Sequence, residues 1–92
     1  ACIFFMKKKT KHSIINIGSG KDYSIEHYAK LFVKVILKNK NIFIRYDRSK
    51  PDGTPRKVMD VSIAKKYGWS AKTKLNKAIL DTYNSFLKEI KL

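Results

Sequence analysis

The chain has 92 residues, 43% of them hydrophobic, and a formal net charge of +14. That apolar content is too rich for a disordered segment, and the length suits one domain, spanning 1–92, that buries only about 60–65% of its unfolded surface. With one cysteine, Cys2, an internal disulfide is excluded.

The first residue is Ala1, and the apolar run Cys2-Ile3-Phe4-Phe5-Met6 follows with no turn or cap chemistry before it. Such a start reads as the interior of an element and leads us to expect a piece of a larger protein. A signal peptide places its positive charge ahead of its apolar core, whereas Lys7, Lys8, Lys9 and Lys11 come after it. No stretch approaches the roughly 18 apolar residues of a membrane span. The expectation is a reducing, cytoplasmic setting without a membrane partner. Residues 1–9 read as the end of a helix with lysines in its last turn, where cations suit the helix dipole.

Ile14-Ile15-Asn16-Ile17 has the β-branched character of a short strand, stopped by Gly18-Ser19-Gly20. Ile25, Tyr28, Ala29, Phe32, Val33 and Ile36 then mark one stripe of an amphipathic helix. Ser24 stands as its N-cap, Glu26 lies in its first turn, and Asn39 and Asn41 bracket its exit. Ile42 to Tyr46 reads as a second strand. Strand, helix and strand in this order predict an α/β fold: a small right-handed βαβ unit with a short parallel sheet. The polar segment from Asp47 to Lys57 holds Pro51, Pro55 and Gly53. Val58 to Val61 predicts a brief third strand. Ser62 caps a short helix, which Gly68 ends as a left-handed C′ residue with Trp69 folding back at C″. Leu75, Ala78, Ile79, Thr82, Tyr83, Phe86 and Ile90 stripe a closing helix.

Few motifs carry chemistry. Gly18-Ser19-Gly20 has the strand–turn–helix setting of a dinucleotide fingerprint, but Tyr23 occupies the place of its third glycine and no acidic residue closes a second strand at the expected distance. The turn reads as a chain reversal, and we assign no cofactor site. His12 and His27 lack metal-ligand spacing, and no metal site is expected. Cys2, inside an apolar run, reads as a small core residue. The tyrosines read as packing residues with a polar tip, and seven scattered acidic residues offer no catalytic pair. No catalytic residue is assigned.

The loop Lys50-Pro51-Asp52-Gly53-Thr54-Pro55-Arg56-Lys57 is different. Its prolines fix backbone angles, and Asp52-Gly53 supplies a turn. A stiff loop of this kind loses less entropy when a ligand arrives. Arg56 and Lys57 suit a diphosphate, and Asp52 suits sugar hydroxyls. A solvated surface turn is the alternative reading of the same residues.

Ser49 to Lys57, followed by Met59-Asp60-Val61-Ser62 and Tyr67-Gly68-Trp69, closely resembles the C-terminal region of the GDP-L-fucose synthases, a branch of the extended short-chain dehydrogenases. Asn16 to Ile25 resembles the strand–turn–helix segment shared more widely by nucleotide-sugar enzymes, and Thr82 to Leu87 the closing helix. The resemblance implies a parent enzyme, an NADPH-dependent epimerase/reductase acting on a GDP-sugar as a homodimer, whose catalytic and cofactor residues lie in an N-terminal Rossmann domain that this stretch does not match. It implies that Lys57 and Asp52 contact substrate; Arg56 joins them on charge and position. Lys74, Asn76 and Lys77 depart from the serine cap and acidic first turn of relatives, and positive charge there opposes the helix dipole by about 0.3–1 kcal/mol.

The charge needs its own account. Eighteen lysines against three arginines, in a chain crowded with isoleucine, is the pattern of AT-rich codon usage. Base and phosphate recognition favours the arginine fork, so nucleic acid is not the expected partner, although a small basic nucleic-acid-binding module stays the alternative. Titration with duplex DNA across a salt series separates the two. A nucleic-acid module loses affinity with a log–log slope of about 0.9 per phosphate contacted, and we expect no such steep dependence.

Overall fold

The computed structural model describes residues 1–38 and 41–91. Four helices follow in chain order: α1 (Cys2–Met6), α2 (Ile25–Phe32), α3 (Ser62–Lys66) and α4 (Leu75–Glu89), with a π-helical turn at Val33–Leu37 continuing α2. The chain forms two compact units, each from two separate stretches. The first is built from Ala1–Asp22 with Gly53–Lys72, the second from Tyr23–Asp52 with Thr73–Leu92. Among the described residues there is no strand. Residues 14–17, 42–46 and 58–61 have the composition of strands, but a strand exists only when another backbone takes up its N–H and C=O groups.

The core of the first unit is Val61 and Ala64, the latter fully buried. Val61 reaches the glycine turn: its methyl carbons lie 3.7 Å from where a Cβ on Gly18 would stand and 2.9 Å from one on Gly20. The Asp60 carboxylate accepts the Ser62 N–H at 2.9 Å, so Asp60 opens α3 and Ser62 is its first residue, where Ser62 itself had been expected as the cap. The carboxylate can reach that orphan N–H from two residues upstream, which leaves the serine hydroxyl no capping role. The other end of α3 matches expectation. Gly68 has φ +93, its N–H donates to the Lys65 carbonyl, and the Trp69 N–H donates to that of Ala64. That pair of bonds is the Schellman arrangement, with the half-buried indole beside it. α1 ends at Met6, so Lys7 to Lys9 lie beyond it, and Lys8 sits 5.5 Å over the Phe4 ring. Cys2 is exposed, not a core residue, because α1 is a single short turn and a half with only Phe4 and Phe5 half-covered.

In the second unit the Ser24 hydroxyl accepts the His27 N–H at 3.0 Å, capping α2 as expected. The apolar stripe continues to Ile36, but over Val33–Leu37 the helix widens. Val33, Val35 and Ile36 are β-branched, and crowding against the preceding turn disfavours the tighter α geometry. α4 packs on this π turn and buries Ile79. Phe32, Ile36, Ile79, Tyr83 and Phe86 line an apolar groove of about 480 Å³ there. Lys74 stands at the N-cap of α4 with no side-chain cap, while Lys77 is paired with Asp81 one turn on. Asn39 lies outside the described residues; Asn41 follows at the start of an irregular stretch.

Gly20 and Gly68 both have positive φ, but only Gly20 also has a side chain where its Cβ would go. We expect Gly68→Ala to lower stability by about 1–2 kcal/mol through backbone strain alone. Gly20→Ala should cost clearly more, because Val61 must also move. Thermal unfolding followed by Trp69 fluorescence measures both.

Candidate functional site

Sequence reasoning placed three candidate residues in the loop 47–57, and the chain divides them. Asp52 belongs to the second unit, Arg56 and Lys57 to the first.

On the second unit the loop begins with an Asp47 turn. The Asp47 carboxylate accepts the Ser49 N–H at 3.0 Å and the Ser49 hydroxyl at 2.6 Å. These bonds hold its pKa below the ordinary value, the hydroxyl contributing most. Asp52 then lines a cleft of about 880 Å³ together with Glu26, Arg45, Tyr46, Asp47, Arg48 and Lys50. One wall is fixed by a small network: the Tyr46 hydroxyl donates to Glu26 at 2.7 Å, and Lys30 pairs with the same oxygen at 2.6 Å. The Lys30 bond, and after it the Tyr46 bond, lowers the Glu26 pKa, while Glu26 raises those of Lys30 and Tyr46. Tyr46 thus uses its polar tip, but it is exposed and is not the packing residue expected of the tyrosines. The cleft mixes three cations with three carboxylates, a lining suited to a ligand carrying both charge and hydroxyls.

On the first unit Arg56 is gripped from one side. Its Nε donates to Asp22 Oδ2 at 2.8 Å and its Nη2 to Asp22 Oδ1 at 3.2 Å, the forked geometry of a guanidinium on a carboxylate. The Arg56 bond holds the Asp22 pKa below its ordinary 3.8, and Asp22 raises that of Arg56. Lys57 is exposed and enters none of the ion pairs among the described residues. Asp22 was missed by sequence reasoning; its partner lies 34 residues away, and no local spacing signals that.

Among the described residues no group of three or more His, Cys, Asp or Glu side chains could hold a metal ion. His27 stacks on Tyr23 at 4.5 Å, and His12 Nδ1 lies 3.0 Å from the Tyr67 hydroxyl, which also accepts the Lys11 N–H at 3.1 Å. Nor does the glycine turn fit a nicotinamide dinucleotide. A pyrophosphate needs the space beside the second glycine, and at Gly20 that space holds the Val61 side chain. No helix among the described residues is long and apolar enough to cross a membrane.

Comparison with curated proteins finds relatives along nearly the whole chain. A putative GDP-L-fucose synthase 2 of Arabidopsis thaliana is 36% identical over 91 residues, 98% of this chain. The GDP-L-fucose synthase of Escherichia coli is 40% identical over 77 residues, covering 83% of the chain. The chain is homologous to the C-terminal part of the GDP-L-fucose synthases. A GDP-L-colitose synthase of Yersinia pseudotuberculosis is 44% identical over 75 residues, 82% of the chain. The chain spans only 27%, 23% and 24% of these three relatives respectively, about a quarter of their length. No protein-family model matches it, and no solved structure does. The relatives named GDP-L-fucose synthase are enzymes, and the matched stretch is their C-terminal part.

The Asp22–Arg56 pair gives a pH prediction with a definite sign. Because the folded pKa of Asp22 lies below 3.8, its contribution to stability is complete above pH 3.8 and is lost as pH falls through the depressed value. Carboxyl-carbon NMR titration should show Asp22 titrating below 3.8, and Arg56→Ala should move its midpoint back up.

Proposed function

We propose that this chain is the GDP-sugar-binding part of an NADPH-dependent epimerase/reductase that makes GDP-L-fucose from a GDP-4-keto-6-deoxy sugar. The reaction centre and the cofactor belong to a Rossmann domain outside this stretch, and the complete enzyme works in the cytoplasm as a homodimer. In that protein this part is an α/β substrate domain, a small βαβ unit with a short parallel sheet, in which the strand-like segments find the backbone partners they need.

The observation that carries this reading is the homology over nearly the whole chain to proteins whose names share the nucleotide. The matched relatives include both a GDP-L-fucose synthase and a GDP-L-colitose synthase. Their sugars differ and their GDP does not, which supports a role for this part at the nucleotide end of the ligand. Lys57, exposed and without an ion-pair partner among the described residues, supplies a compact cation for a phosphate. Asp52, at the edge of a charged cleft, accepts hydrogen bonds from ribose or sugar hydroxyls. Arg56 keeps N–H donors beyond those given to Asp22 and directs them at the diphosphate. The contribution to catalysis is binding and placement, which fixes the sugar ring relative to a donor held elsewhere.

Lys57→Ala in the complete enzyme should weaken GDP-sugar binding about tenfold or more, the loss expected for a charge-assisted hydrogen bond. NADPH affinity should stay the same. Calorimetric titration of both ligands tests this, and equal losses for the two would count against the assignment.

A further inference from the structure

We infer that Asp22 is a positioning residue for the nucleotide diphosphate, acting through Arg56. The inference rests on the substrate reading above and deepens it by adding a residue outside the loop.

A guanidinium has five N–H donors in a rigid plane. Asp22 takes the Nε–H and one Nη2–H, leaving the rest on the far edge of the same plane. The exposures of the partners differ in the direction this requires: the Asp22 side chain is 30% exposed and that of Arg56 73%. The carboxylate is the sheltered anchor and the guanidinium faces outward.

The anchor itself is held. Asp22 follows directly on the turn in which the Ser19 hydroxyl accepts the Lys21 N–H at 3.2 Å and donates to the Lys21 carbonyl at 3.3 Å. Gly20 in that turn is fixed at positive φ against Val61. At the other end, Pro55 sets the backbone just before Arg56. The guanidinium is therefore oriented from both its backbone and its tip, and a forked anion meets donors that need little further ordering.

The opposite role is possible for a carboxylate beside a cation: it could simply neutralise it. The two roles predict opposite signs. If Asp22 orients Arg56, removing its charge weakens diphosphate binding. If it only neutralises Arg56, removing its charge strengthens binding.

The test uses the complete enzyme, with GDP as the probe in calorimetry and the GDP-sugar in steady-state kinetics. Asp22→Asn should raise the GDP Kd and the GDP-sugar KM about fivefold, with kcat and NADPH affinity unchanged. Arg56→Lys keeps a cation opposite Asp22 but loses the fork, and should give a loss of similar size, so the idea does not depend on one variant folding. In an Arg56→Ala background, Asp22→Asn should add nothing, as a purely structural role for Asp22 would not require. Unchanged or tighter GDP binding in Asp22→Asn, alongside a clear loss in Lys57→Ala, overturns this inference and leaves the substrate reading standing. If Lys57→Ala has no effect on GDP binding, both fall.

Discussion

Val61 is where the first unit closes on itself. Its side chain occupies the space a Cβ would need at Gly20 and stands at ordinary contact distance from that of Gly18, so the turn and the stretch entering α3 fit only because Gly20 lacks a side chain. The same unit also holds the Asp22–Arg56 fork and the Tyr67 hydroxyl bound by Lys11 and His12. All join the stretch 1–22 to the stretch 53–72. Loosening the contact at Gly20 would release the turn that carries Asp22, and through it the side chain of Arg56.

What could be read from the sequence was local. Ser24 caps α2 because a serine hydroxyl reaches an N–H three residues on, and that geometry needs nothing else. Gly68 and Trp69 end α3 as expected because positive φ is open to glycine at little cost and the indole is large enough to fold back. The apolar stripes of α2 and α4 follow from periodicity alone. What could not be read was pairing at a distance. Nothing in the composition of 16–22 says that Val61 will fill the glycine turn or that Asp22 will meet Arg56. The strand-like runs fall between these cases: β-branched residues supply the propensity, but a ladder needs a second backbone. The candidate loop was found by its prolines and charges, whereas the carboxylate that grips it was not.

The electrostatics are uneven. The stretches of the first unit carry ten lysines and arginines against two carboxylates, and those of the second unit eleven against five. In the first unit one of the two carboxylates, Asp22, is committed to Arg56 and the other, Asp60, to the start of α3. That leaves Lys57 in surroundings that are strongly positive and short of counter-ions of its own. A field of this sign favours anions over cations near the first unit and weakens with added salt.

Each unit takes its residues from two separated stretches, with the chain passing between units after residues 22, 52 and 72. This interleaving matters on the ribosome. Residues 1–22 find their partners only once 53–72 have emerged, and at bacterial or eukaryotic synthesis speeds that is a wait of roughly 2–10 seconds. Through that interval Phe4, Phe5 and Ile15, each half-covered in the folded unit, have nothing of their own unit to cover them. The nascent chain is then most exposed to aggregation and most dependent on a chaperone, well before any ligand is in play.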